Sequence, residues 1–523
     1  MAERAQPVTR AGLALASGGA AAVVIFLTLG TLAAVLARAG GSASPGAADW
    51  AALRFTLFQA ALSAALSVAL AIPVARALAR RRFAGRGALI TLLGAPFLLP
   101  VIVAVMGLLA IFGRAGILNR ALALIGLEPV SIYGLSGVVL AHVFFNLPLA
   151  VRLILHGWLA IPAERFRLAA ALGFTARDVT RHLERPMLRE VVPGIAATIF
   201  LICLTSFAVA LTLGGGPKAT TLELAIYPAL RLDFDLGRAA MLAGMQLLVC
   251  AVTAGMAARL SLPSAFGAGL DAPLSRWDAT SRPARVLDSA AIGAAVLFLL
   301  VPLSAVVVTG LPRLVTLPAP VWHAAIWSLG VALGATAVAV TLALPMALAA
   351  ARLRRGRAFE SVGMLPLATS ALVLGTGLFL MLRPFAAPAA LALPVTMLVN
   401  AVMALPFCLR ALIPAARRIE ADYARLADSL GMAGLARLRY LTWPRLRRPL
   451  GFAAGLTAAL SMGDLGVIAL FADPDRATLP LQLYRLISAY RMADAAGAAV
   501  LLMGLSFGLF WLFDRGGRAD AAA

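Results

Sequence analysis

Twelve stretches of this chain are apolar over about twenty residues or more, and that constrains its fold more than any motif does. They lie near 13–37, 55–79, 88–112, 132–154, 191–213 and 239–262, then near 287–309, 325–350, 361–382, 389–412, 450–472 and 495–514. Of the 523 residues 62% are hydrophobic, against about 45–50% in a soluble domain. No single soluble core could hold that excess, so it faces lipid. The expected fold is an all-α membrane protein with about twelve transmembrane helices. The first run is too long for a leader and has no clear cleavage site, so it is read as a span.

The net charge of +22 rests on only 13% charged residues. Its arginines stand in short clusters between apolar runs, as in cytoplasmic loops, and do not form the continuous basic face that nucleic acid needs. Clusters such as Arg80–Arg81–Arg82, Arg165 to Arg189, Arg352 to Arg357 and Arg417 to Arg448 all fall on one side if there are twelve spans. That side is read as the cytoplasm of a bacterial inner membrane, with both termini in it. The opposite loops carry acids such as Glu223, Asp233, Asp473 and Asp475. Cys203, Cys250 and Cys408 are scattered in apolar runs and fit small buried thiols, and no metal or cofactor spacing is present.

The chain repeats itself. Leu147-Pro148 and Arg152 match Leu405-Pro406 and Arg410 at a spacing of 258 residues. The same spacing pairs Arg167-Leu168-Ala169 with Arg425-Leu426-Ala427, Gly173 with Gly431, and Pro186 with Pro444 without a gap. Leucine and alanine coincide by chance in so biased a chain, but glycine and proline do not. Six spans per repeat give two halves of equal orientation, related by a pseudo-two-fold axis along the membrane normal. The expected domains are a first half at 1–262, a Pro- and Gly-bearing cytoplasmic linker at 263–286 and a second half at 287–523.

The best-matched stretch lies in the long basic loops, about 155–190 and 413–449. Each reads Arg-Leu-Ala-x-x-Leu-Gly with a proline thirteen residues after the glycine. This spacing predicts a helix, a sharp glycine turn and a second helix ended at the proline. It resembles the EAA loop of ATP-binding-cassette importer permeases, and implies the type I, MetI-like permease fold. The resemblance assigns coupling to an ATPase subunit to Glu164, Arg167, Ala169, Gly173 and Pro186, and to Asp422, Arg425, Ala427, Gly431 and Pro444. Arg167 and Arg425 depart from the family, which usually has Glu there. Glu164 and Asp422, one helical turn earlier, either take over the contact or pair with those arginines, and pairing is the favoured reading.

The one lysine, Lys218, is followed by Ala219, so no Gly-Lys-Ser/Thr phosphate loop exists in this chain. Two copies of a separate ATPase subunit and a periplasmic binding protein are the implied partners. Ala141 to Pro148, Gly214 to Pro217, Glu223 to Tyr227, Arg238 to Ala243 and Ser461 to Gly466 resemble the permeases of thiamine and thiamine-diphosphate importers. Ferric-iron permeases share the fused plan and both loops, and remain the alternative. A secondary transporter would need more intramembrane acids, and a membrane enzyme would need converging catalytic groups. Asp464, expected about 21 Å into the span near 450–472, is read with His142, Asn146 and Asn400 as a candidate lining of the path. For Asp464 a structural hydrogen bond is the stronger alternative.

Overall fold

The computed structural model describes residues 6–39, 44–94, 98–214, 216, 219–257, 259–260, 276–277, 280–471 and 476–518. Outside them lie most of the expected linker (263–275 and 278–279), Lys218, and the acids Asp473 and Asp475.

The described residues contain helices and no strands. α1 (Gln6–Ile25) and α2 (Thr31–Ala39) form one span through a π turn at Phe26–Gly30. Thr28 and Thr31 donate their hydroxyls to the carbonyls of Val24 and Leu27, 2.6 and 2.8 Å away, which bends the helix there. α3 (Ala47–Arg80) crosses next, followed by the short α4 (Arg86–Leu92), α5 (Val101–Phe112) and α6 (Ile117–Leu124). α7 (Leu135–Leu159) leads to α8 (Ala163–Ala171), α9 (Ala176–Val179) and α10 (Arg185–Leu204). α11 (Phe207–Leu213), α12 (Leu222–Arg231) and α13 (Leu236–Ala257) complete the first set.

The second set repeats this order. α14 (Arg282–Gly310), α15 (Ala319–Arg352), α16 (Gly356–Met364) and α17 (Ala371–Leu382) come first. α18 (Ala392–Ser429) runs from the membrane into the basic loop without a break. α19 (Gly434–Ala436), α20 (Trp443–Met462), α21 (Gly466–Phe471), α22 (Leu479–Ser488) and α23 (Met492–Arg518) follow. The first set breaks between α7 and α8 because Pro162, with no N–H to donate, stands where α18 has Glu420.

Ten described helices are long and apolar enough to cross a membrane, and eleven if the bent pair at 356–382 counts as one. The expected twelve are thus not twelve straight helices. The expected third span of each set is a short helix followed by a twelve-residue one, with a 92° bend between them in the second set. Pro100 precedes α5, and Pro366 lies in the 3-10 turn before α17, whose start Ser370 caps by accepting the Val373 N–H at 3.1 Å. The eleventh expected span, 450–472, breaks at Gly463–Leu465, between α20 and α21.

The two sets are interlocked. The first span of each crosses over to pack on the other: α1 and α2 lie on α15 and α17, and α14 lies on α3 and α5. Glycine makes both crossings possible. A Cβ on Gly107 of α5 would stand 2.6 Å from the Pro302 carbonyl oxygen of α14, and one on Gly377 of α17 would stand 2.5 Å from that of Thr31. Within each set lies a matched anchor. Thr56 of α3 accepts the Leu222 N–H at 2.8 Å and Ser328 of α15 accepts the Leu479 N–H at 2.7 Å, fixing the starts of α12 and α22.

Candidate functional site: twin basic loops and a polar seam

The glycine turns of the repeated loops have the same backbone, hydrogen bond for hydrogen bond. In the first, Gly173 adopts φ +68°. Its N–H bonds to Ala170 O at 3.1 Å while the Phe174 N–H bonds to Ala169 O at 2.9 Å. In the second, Gly431 has φ +62°, with Gly431 N–H to Asp428 O at 3.1 Å and Met432 N–H to Ala427 O at 2.8 Å. This pair of bonds satisfies the last helical carbonyls and requires a left-handed residue, the role expected of glycine in the repeated motif.

The prolines differ from expectation. Pro186 and Pro444 do not end a helix but stand as the second residues of α10 and α20. Each follows a π turn, at Thr180–Glu184 and Arg437–Thr442. Proline offers no N–H to the carbonyl four residues back. The preceding residue bonds five back instead, Arg185 to Thr180 and Trp443 to Leu438.

Ala169 and Ala427 are buried, whereas Glu164, Arg167, Gly173 and Pro186 are exposed, as are Asp422, Arg425, Gly431 and Pro444. The favoured Glu164–Arg167 and Asp422–Arg425 pairs are not among the ion pairs of the described residues. All four side chains point into solvent, where an i,i+3 pair gains little over hydration. Leu168 and Leu172 are 61% and 62% exposed, and their repeat partners Leu426 and Leu430 are 54% and 66% exposed. Both loops therefore offer an apolar pair, ringed by charge, that this chain leaves uncovered.

Each loop is gripped from behind by an arginine of the second span. Arg76 of α3 reaches Thr180 at 2.8 Å and Glu184 at 2.9 Å. Arg352 of α15 reaches Glu420 at 2.5 Å and Thr442 at 2.9 Å. Glu184 and Thr442 are again 258 residues apart. Thr175 caps α9 by accepting the Asp178 N–H at 3.3 Å, and its hydroxyl and backbone N–H in turn hold the Asp178 carboxyl below the usual range.

Each of the four residues expected on a path is tied to a neighbour. His142 and Asn400 are repeat partners. The His142 Nδ1 lies 3.2 Å from Ser63 Oγ, and Asn400 donates to Ser461 Oγ at 2.9 Å. Asn146 donates to the His142 carbonyl at 2.9 Å and to Cys203 Sγ at 3.3 Å. Asp464 is not inside a helix, as the span near 450–472 would have placed it. It sits in the break before α21 and accepts the Gly466 N–H through Oδ1 at 3.2 Å, while its Oδ2 is buried with no hydrogen-bond partner among the described residues. A carboxylate at a helix start suits the free N–H groups there.

No family model matches the chain. Curated relatives do. The thiamine transport system permease protein ThiP of Brucella abortus (strain 2308) is 39% identical, with 98% of each chain covered. That of Escherichia coli (strain K12) is 42% identical over 89% of each chain. The Haemophilus influenzae protein is 34% identical over 87% of this chain and 86% of its own. The chain belongs to the ThiP family of transport permeases.

In this ThiP-family chain, the residues that hold the loops and join the two sets escape a reading of the sequence. Glu184, Glu420 and Arg352 read there only as loop charge, and Arg76 falls inside the expected span near 55–79. The matched positions of Glu184 and Thr442 are the available signal. Glu223, expected as an external-loop acid, is instead buried in α12, 2% exposed. It faces the hydroxyl of Ser370 at the start of α17, in the other set. α12 lies between the spans, and burial there pushes the Glu223 carboxyl up to about 7, partly offset by Ser370.

Proposed function

We propose that this chain is the translocation subunit of an ATP-driven importer that carries thiamine or thiamine diphosphate from a periplasmic binding protein into the bacterial cytoplasm. The full-length likeness to ThiP permeases carries the reading, and the twin loops support it. The arginine-rich face is the cytoplasmic side, both termini lie there, and the domains are the halves 1–262 and 287–523 joined by the linker 263–286. One ATPase subunit docks on each loop, covering Leu168 and Leu172 on one side and Leu426 and Leu430 on the other.

The loops suit that task because they are stiff. A left-handed glycine turn, a π turn and a half-buried arginine grip fix each docking helix to the spans behind it. Closure of the two ATPases on ATP draws the loops together and swings the halves as rigid bodies. The binding protein meets the opposite face. The path runs between the halves, and His142, Asn146, Asn400 and Asp464 border it as packed supports. The subunit makes and breaks no covalent bond, since ATP is hydrolysed on its partners.

Uptake of labelled thiamine should vanish in a strain lacking this gene and return when it is restored, with iron-limited growth unchanged. Restored growth on limiting ferric iron with no effect on thiamine would favour the iron importer instead.

A further inference from the structure

The two loops are stiffened by different means. In the second, Arg437 bonds Glu420 at 2.8 Å and Asp428 at 3.0 Å, so the loop supplies its own inner cation. The first loop has no counterpart for any of the three. Val179, Pro162 and Ala170 stand at the matching positions. Its inner acid is Glu184, with a side chain 2% exposed.

The missing cation comes from the segment that joins the two sets. Arg276 places Nη1 2.8 Å from Glu184 Oε1, with both side chains 2% exposed. Its guanidinium also lies 4.9 Å over the ring of Phe166 in α8. The next residue, Trp277, donates its indole N–H to the Phe174 carbonyl at 3.4 Å, on the residue that closes the glycine turn. A few residues on, Asp288 of α14 receives Arg80 and Arg81 from the end of α3, each at 2.6 Å. The start of the second set is thus braced against the first set at the loop and at the end of α3.

We propose that Arg276 and Trp277 are positioning residues of the transport cycle: they form a clip that holds the first loop in its docking shape and ties its motion to α14. The inference rests on the loops being ATPase docking elements. A buried guanidinium held between an acid and an aromatic ring is a short-range contact, weakened when either partner moves away. The second loop, self-sufficient through Arg437, does not need it. The two ATPase sites are then mechanically unequal although the loops share one glycine turn.

The test uses the full permease assembled with its ATPase and binding protein. Arg276→Ala leaves Glu184 paired to Arg76, so the fold is expected to survive, and Trp277→Phe removes only the indole donor. In Arg276→Ala, amide hydrogen exchange over residues 163–184 should speed up several-fold while residues 421–442 stay unchanged. The ATP hydrolysed per thiamine imported should rise several-fold, and Arg276→Lys should restore most of the coupling. Equal acceleration in both loops, or none in either, overturns the clip. A selective change in exchange with unaltered coupling overturns the positioning role. Exchange is read whatever the substrate is, so failure of the wild-type complex to import thiamine would count against the proposed function and not against the clip.

Discussion

Replacing Gly173 and Gly431 isolates the backbone requirement of the two loop turns. Both residues hold left-handed φ, +68° and +62°. A Cβ at either position would meet no heavy atom within 4 Å, so substitution introduces no clash. The penalty of alanine is then conformational alone, about 1–2 kcal/mol per site. That is about a 5–30-fold shift in the population of the docking shape. Asparagine visits this region more readily and should be milder. Proline should be worst, because it fixes φ near −65° and removes the N–H that bonds Ala170 or Asp428. ATP-driven uptake of labelled thiamine into proteoliposomes should fall in the order Gly, Asn, Ala, Pro at each position, with normal insertion, and the double proline variant should be inactive. Wild-type uptake by the double proline variant would refute the reasoning, as would an order that follows side-chain size.

Aspartate at Leu168 and Leu172, or at Leu426 and Leu430, should leave folding intact and abolish co-purification of the ATPase, because the exposed apolar pairs have no role within the chain. Gly107→Leu or Gly377→Leu should lower the melting temperature or the yield of inserted protein, since each side chain would meet a backbone carbonyl of the opposing first span. Asp464→Asn should cap α21 nearly as well as aspartate and transport normally. Asp464→Leu should lose about 1 kcal/mol of capping and insert poorly, and loss of transport in the Asn variant alone would show that the charge acts on the path. Glu223 has a folded-state pKa of about 7 against an ordinary 4.5, so its neutral form favours the fold. Its contribution is fully present below about 4.5 and is lost as pH rises through 7. Thermal stability of Glu223→Gln, measured from pH 5 to 8, should show less of that decline than the wild type.

The glycine turns of the two loops are legible in the sequence. Those at Gly173 and Gly431 are local, and a residue with no Cβ at the same place in two copies points directly to a left-handed turn. The membrane class follows from apolar runs that need no partner to be recognised. The broken helices are less legible, because a hydropathy window averages across a cap. Leu465 to Phe471 is as apolar as the helix before it, and only Gly463 and Asp464 mark the interruption. The crossing of α1–α2 and α14 onto the opposite sets is not legible. Gly107 and Gly377 read as two glycines among 46 until a facing backbone is placed against them. Loop stiffening escapes for the same reason. Arg76 and Glu184 lie 108 residues apart, and Arg276 with Trp277 sits in a stretch whose composition says only linker.

The most direct test of ATP-coupled import is transport by the purified complex in proteoliposomes, with the binding protein outside and ATP inside. Thiamine should accumulate only when ATP, the ATPase subunit and the binding protein are all present, and accumulation should stop when both docking leucine pairs are changed to aspartate. Accumulation without ATP, or accumulation that survives loss of both leucine pairs, would contradict the coupling mechanism.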